Sequence, residues 1–285
     1  MRIDLHMHST VSDGTDTPLE LPERIREARI EMFALTDHDA IKGCAIIREL
    51  LKPGDPLFIN GVEFSCRDEE GKYHILGYNY NPDSTSILDV VELGHRYREK
   101  KLLARLEFIR EKFGFSFTEA DVQKLRALDN PGKPHIGNLM VQYGYAPSKE
   151  DAIREYLNKA HFPNEYVRPE QAISGILKSG GIPVLAHPVY GSGDELILDD
   201  RMNRRLHRLA EFGLQGVEAF YSTFTPKMVR EMLCFAEKYN LYVTAGSDYH
   251  GNNKLIDLGE TNLDMVDSIP DGMKRFMSVI GYAAG

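Results

Sequence analysis

The chain has 285 residues, 42% of them apolar and 27% charged, and a formal net charge of −9. That balance supports a sizeable core and excludes wholesale disorder, and the length suits one large domain or a domain carrying a smaller insert. The acidic charge argues against a protein that lives by non-specific binding to long duplex nucleic acid, and no apolar run approaches the roughly 18 residues of a membrane span.

Three cysteines, Cys44, Cys66 and Cys234, form no Cys-x-x-Cys pair. The N-terminus enters an alternating pattern at once. A cytoplasmic protein without a disulfide framework or signal peptide is therefore expected.

Short apolar runs that close on polar residues predict strands at 3–8, 32–36, 57–64 and 73–78. Thr17-Pro18-Leu19-Glu20 reads as an N-cap, a Pro at N1 and a Glu at N3, opening a helix after the first strand. The link from Phe64 to Tyr73 is about eight residues, too short for a helical crossover. The fourth strand is thus expected antiparallel to the third, which returns His74 to Glu63. The alternative leaves His74 elsewhere, without a ligand role.

From Arg96 to Tyr166 the rhythm of strands stops and only helices are predicted. Leu102, Leu106, Ile109 and Phe113 share one face of the first, which Gly114 ends. Thr118 and Ser148, each three residues before an Asp, cap the second and fourth; the third spans 135–143. This segment carries thirteen Lys and Arg against ten Asp and Glu, whereas the rest of the chain is strongly acidic. A small helical domain over 96–166 is expected, inserted into a body formed by 1–95 and 167–285.

Pro169 opens a helix that stops at Gly180-Gly181, and strands follow at 182–186, 216–221 and 242–246. Thr225-Pro226 caps a helix over 227–239. Seven strands alternating with helices predict an α/β fold, either a closed or nearly closed barrel or a doubly wound open sheet.

Polar residues gather where these runs end. His6 and His8 leave one face of the first strand, with Asp13 in the loop after it. The second run ends in Thr36-Asp37-His38-Asp39, the third reaches Glu63, the fifth ends at His187, and the seventh is followed by Asp248 and His250. In a parallel barrel the C-terminal strand ends form one rim, where active sites lie. Imidazole and carboxylate are ligands for Mn, Fe and Zn. With His74 the set exceeds the four ligands of one tetrahedral zinc, so two or three divalent ions are expected. Two ions about 3.5–4 Å apart suit phosphoryl transfer to water, with Glu63 as bridge and a bridging hydroxide as nucleophile. His95, His161 and His207 read as structural or surface residues; His207 lies among Arg204, Arg205 and Arg208 on a solvated helix. No Ser-His-Asp order, nucleophile elbow or Walker loop competes.

At these residues the chain resembles the polymerase and histidinol phosphatase (PHP) family. The matching motifs are Asp4-Leu5-His6-Met7-His8-Ser9, Asp13-Gly14, Thr36-Asp37-His38-Asp39, Gly61-Val62-Glu63-Phe64, His74-Ile75-Leu76-Gly77-Tyr78, Ala186-His187-Pro188 and Gly246-Ser247-Asp248-Tyr249-His250-Gly251. The resemblance implies a distorted seven-stranded barrel and a di- or trinuclear centre that hydrolyses phosphate esters. It implies one ion on His6, His8, Glu63 and Asp248, a second on Glu63, His74 and His187, and a third on Asp13, His38 and His250. Glu63, Asp248 and His250 would be catalytic.

Within the family the chain is most similar to the nucleoside-3′,5′-bisphosphate phosphatase branch, through Lys133-Pro134-His135-Ile136, Glu165-Tyr166-Val167 and Val217-Glu218-Ala219-Phe220-Tyr221. Asp13 replaces a His of some members, and Lys133 replaces a bidentate Arg by a point charge. Lys133 and His135 are the expected phosphate contacts, with Arg98 and Arg168 as lesser candidates. Tyr166 and Tyr221 either stack on a base or pack the barrel mouth. The expected substrate is a small phosphorylated metabolite, foremost a nucleoside bisphosphate or a short RNA end. The alternatives are a cyclic phosphodiesterase, a histidinol-phosphate phosphatase and a non-enzymatic accessory domain.

Overall fold

In the computed structural model, which describes residues 1–162, 165–191 and 195–282, seven strands lie side by side in chain order. β1 (Ile3–Asp4), β2 (Met32–Leu35) and β3 (Leu57–Asp68) are parallel. β4 (Gly71–Tyr78) is antiparallel both to β3 and to β5 (Ile182–Leu185). β6 (Gly216–Tyr221) and β7 (Tyr242–Gly246) continue parallel to β5. Helices α1 (Leu21–Glu27) and α2 (Lys42–Leu50) join the first three strands. After β4 come α3 (Thr85–Phe113), α4 (Glu119–Arg126), α5 (Lys133–Gln142), α6 (Lys149–Glu155) and α7 (Pro169–Lys178). α8 (Asp199–Glu211), α9 (Pro226–Lys238) and α10 (Asp271–Val279) complete the chain.

The sheet curls into a nearly closed barrel because β7 meets the segment after β1. Leu5 N donates to Ala245 O at 2.9 Å, Asp248 N to His6 O at 2.8 Å, and His8 N to Tyr249 O at 2.8 Å. The buried Asp4 carboxylate secures this seam, accepting from Ser247 N (3.0 Å), Ser247 Oγ (2.6 Å) and Gly259 N (2.8 Å). The strand expected over 3–8 keeps ladder pairing only over Ile3–Asp4. Beyond Asp4 its backbone is divided between β7 and the end of β2, where Thr36 N donates to Met7 O at 2.9 Å.

Most strands are buried on both faces, which explains their near-continuous apolar runs. Against the β2 side pack Leu21 and Ile25 of α1 and Cys44 and Ile47 of α2, with Phe33 and Leu35 beneath them. α1 begins at Leu21, later than its expected start. Thr17 N–H donates to Glu20 Oε2 at 2.8 Å, one half of the expected capping box, and the Thr17 hydroxyl donates to the same oxygen at 2.8 Å. At Thr118, Ser148 and Thr225 the expected caps do form, accepting from Asp121 N, Asp151 N and Met228 N.

The chain divides into two compact units, 1–91 with 167–285, and 92–166. The expected boundary before Arg96 falls inside α3, whose first turns belong to the barrel unit. The helical unit has its own core of Leu102, Ile109, Leu125, Ile136, Leu139 and Met140, with Leu106 and Phe113 packed at its edge. Among the described residues no helix is long and apolar enough to cross a membrane.

Cys44 and Cys66 are buried and Cys234 is exposed. Burial pushes the Cys44 thiol up to about 12, and the Cys66 thiol well above its ordinary range. A disulfide reagent such as DTNB should therefore label one thiol in the native protein and all three in denaturant. Prompt native labelling of two would contradict this packing.

Candidate metal centre

The antiparallel turn of β4 places Ser65 opposite His74 and Glu63 opposite Leu76. His74 thus returns to the rim on which the parallel strands end, as its short link required. Its Nδ1 lies 2.8 Å from Glu63 Oε1.

All nine residues expected at the rim converge. Three groups each hold one candidate ligand atom per residue within 4.8 Å of the others: His8, Asp13, His38 and His250; His6, His8 and Asp248; His38, Glu63 and His74. His187 joins through Nε2, 3.1 Å from Glu63 Oε1. The partition differs from the one the resemblance implied, because His8 and His38 each belong to two groups.

Glu63 stands at the centre and is almost wholly buried. Its Oε2 faces His6 Nε2 (3.4 Å), His8 Nε2 (3.3 Å) and His38 Nδ1 (2.9 Å). Its Oε1 faces His74 and His187. His6 Nε2, His8 Nε2, His38 Nδ1 and Glu63 Oε2 are buried and make no hydrogen bond. Buried polar groups without partners are rare, and four facing one another call for a shared partner. A divalent cation satisfies lone pairs of just this kind, so the donor set fits a metal centre.

The electrostatics agree. Burial on its own would lower His6 and His8, yet both are raised, His8 to about 9, by the surrounding carboxylates. Burial would likewise raise Glu63, but the imidazoles of His74, His38 and His6 hold it well below the carboxylate range. Such a pocket favours added positive charge, whether proton or metal.

Supporting contacts orient these groups. His6 Nδ1–H donates to Glu218 Oε1 at 3.0 Å, leaving Nε2 as the lone-pair nitrogen that faces the centre. The other Glu218 oxygen accepts from His187 N at 2.7 Å. Asp248 Oδ2 accepts from Tyr221 Oη (2.7 Å) and from the Lys254 ammonium, so Oδ1 is the atom left toward His6 and His8. Asp37 anchors the loop after His8, accepting from Ser9 N, Ser9 Oγ and Ser12 Oγ. His187 (φ 26°) and Asp248 (φ 59°) both hold left-handed backbone, strain that is found where side chains must be aimed. A Cβ on Gly246 would sit 2.2 Å from His6 Cβ, so only glycine lets β7 approach so closely.

The roles of Glu218, Asp37 and Lys254 escaped the sequence reading. Glu218 left a signal as a lone carboxylate inside an otherwise apolar strand, and Asp37 as a member of the Thr36-Asp37-His38-Asp39 run. Among the substrate candidates, Tyr221 is buried and its hydroxyl donates to Asp248, in keeping with the packing alternative. Arg168 is forked onto Glu69 (3.0 and 3.1 Å) and bound to Glu170, so it does not offer a free guanidinium. Lys133, His135, Arg98 and Tyr166 belong to the helical unit. There Lys133 Nζ donates to Asn158 Oδ1 at 2.6 Å, His135 Nδ1 accepts from Gly132 N, and Lys101 lies over the Tyr166 ring.

If Glu218 sets the orientation of His6, Glu218→Ala should weaken metal affinity by about 10–100-fold, the usual cost of losing a supporting carboxylate. Metal content after dialysis, measured by atomic emission, checks this. Undiminished retention would deny Glu218 that role.

The family model for the PHP domain matches residues 4–166. A 5′-3′ exoribonuclease of Haemophilus influenzae is 30% identical over 96% of this chain and 99% of its own. A phosphoribosyl 1,2-cyclic phosphate 1,2-diphosphodiesterase of Eggerthella lenta is 31% identical, covering 87% of this chain and 94% of its own. A 3′,5′-nucleoside bisphosphate phosphatase of Chromobacterium violaceum is 29% identical, covering 87% of each. The crystal structure of a candidate metal-dependent phosphoesterase from Bifidobacterium adolescentis superposes with a TM-score of 0.76 at 27% identity, covering 92% of this chain and 93% of that one. The chain belongs to the PHP domain family and is a metal-dependent phosphoesterase.

Proposed function

We propose that the substrate is a nucleoside 3′,5′-bisphosphate, from which the 3′-phosphate is removed, or the end of a short oligoribonucleotide, and that the chain hydrolyses this phosphate ester in the cytoplasm. The observation that carries this reading is the division of the Glu63 carboxylate between two sets of imidazoles. One carboxylate reaching two nitrogen sets is suited to holding two cations at a fixed spacing. The similarity to relatives named for nucleotide and RNA substrates supports the substrate class.

His6, His8, Glu63 and Asp248 would hold one ion, and Glu63, His74 and His187 a second. Asp13, His38 and His250 would hold a third. Mn, Fe and Zn all suit this donor set. When bound, such ions polarise the phosphoryl oxygens and lower the pKa of water. The chain's own residues do the positioning. Glu63 and Asp248 keep two carboxylate oxygens against the imidazole cluster. His250 gives its Nδ1–H to the Asp248 carbonyl at 2.8 Å, which leaves Nε2 as the lone-pair nitrogen it would offer to the third ion. The sealed side of the cluster, His6, His8 and Glu63, excludes water, while Asp13, His38, His74 and His187 are part-exposed and face the substrate. In the helical unit, Lys133 and His135 supply further substrate contacts, with Arg98 and Tyr166 beside them in the proposal. A cyclic phosphodiesterase is the second reading, favoured by the similarity to the Eggerthella lenta enzyme.

Glu63→Gln should keep the fold by circular dichroism and lose more than about 100-fold in phosphate release, exceeding the effect of a supporting residue. An unaffected rate would end the reading. In a Mn²⁺ screen, nucleoside bisphosphates or short RNA ends should be turned over fastest, ahead of cyclic phosphates and histidinol phosphate. Equal, slow rates on all four would place the substrate elsewhere.

A further inference from the structure

Helix α8 carries Arg201, Arg204, Arg205 and Arg208, spaced so that all four share one face. Sequence reading took this for a solvated surface. The structure instead turns the face onto a cleft of about 350 Å³ walled on its far side by Tyr73. A second cleft, of about 230 Å³, is lined by His74 and His187 of the metal centre and also by Lys72, Tyr73 and Arg205. Tyr73 and Arg205 line both, so Arg205 stands between the α8 face and the cleft of His74 and His187, within the barrel unit.

The charges along these two clefts are not equally committed. Arg208 is paired with Asp68 at 2.6 Å and Arg201 with Glu195 at 2.8 Å. Arg205 lies with Cζ 4.6 Å from the Tyr73 ring centroid, and it makes no ion pair with any described residue. Such stacking fixes the plane of a guanidinium and leaves its N–H groups able to donate. Arg204 and Lys72 are exposed and likewise unpaired among the described residues. Glu70 is the acidic residue of the cleft with no cation bound to it there. The surplus is positive, and a planar fork beside flexible cations suits a phosphate.

We propose that the cleft which Arg205 shares with His74 and His187 is a second phosphate subsite. It takes the phosphate of the substrate that is not hydrolysed, the 5′-phosphate of a bisphosphate or the next backbone phosphate of an RNA end, with Arg205 as its principal contact. The proposal rests on the nucleotide reading above and adds where the distal charge is held.

The test is calorimetric titration of the metal-loaded protein with adenosine 5′-monophosphate and with adenosine, neither of which needs turnover. Arg205→Gln should weaken binding of the monophosphate by about tenfold or more, the worth of a charged hydrogen bond, and leave adenosine unchanged. Arg205→Lys should restore part of it. The exposed Arg204→Gln should give a smaller loss of the same selectivity, and it serves if Arg205→Gln does not fold. Equal weakening of both ligands, or of neither, would overturn the subsite. If the wild type hydrolyses no nucleotide, the functional reading fails by itself, and selective loss of monophosphate binding still upholds the subsite.

Discussion

The structure turns on a single carboxylate. Glu63 lies at the end of the parallel half of the barrel, is sealed from solvent, and divides its two oxygens between five imidazoles. A buried carboxylate costs several kcal/mol unless it is compensated, on the order of the usual desolvation penalty for one ion. Here the compensation comes from His6, His8, His38, His74 and His187, delivered by four separate stretches of chain. The Asp4 clasp, the Asp37 anchor and the Glu218 bridge all serve to keep those stretches in place. Much of the polar interior of the barrel can be understood as support for this one group.

The reversal of β4 is the topological counterpart. A uniformly parallel barrel would leave the start of the fourth strand on the opposite rim. With β4 antiparallel to both neighbours, His74 comes level with Ser65 and reaches Glu63. The same reversal brings Tyr73 to the α8 arginines, so one change of direction positions both a centre residue and the wall of the adjoining cleft.

Some features of the fold are legible in the sequence and others are not. The strands were legible because runs buried on both faces are apolar throughout and end on polar residues. His6, His8, Glu63, His187 and Asp248 were legible because each stands at such an end. The insert was visible as a break in rhythm, although its unit begins at Glu92, since α3 runs on from the barrel without a local signal at the boundary. The carboxylates that hold Tyr221 and Arg168, Asp248 and Glu69, lie 27 and 99 residues away, so no local signal names them. At Thr17 the Glu20 half of the expected capping box forms, and the regular helix starts at Leu21.

The amino-acid sequence by itself determined which residue types end the strands, where the helical insert interrupts them, and that imidazoles and carboxylates outnumber the ligands of one ion. These follow from local periodicity and side-chain chemistry, which each segment carries alone. Tertiary structure decided which oxygen of Glu63 meets which imidazole, which tautomer Glu218 imposes on His6, and which arginines of α8 turn from solvent into a cleft. Those outcomes depend on distances between segments far apart in the chain, and such distances exist only once the barrel has closed.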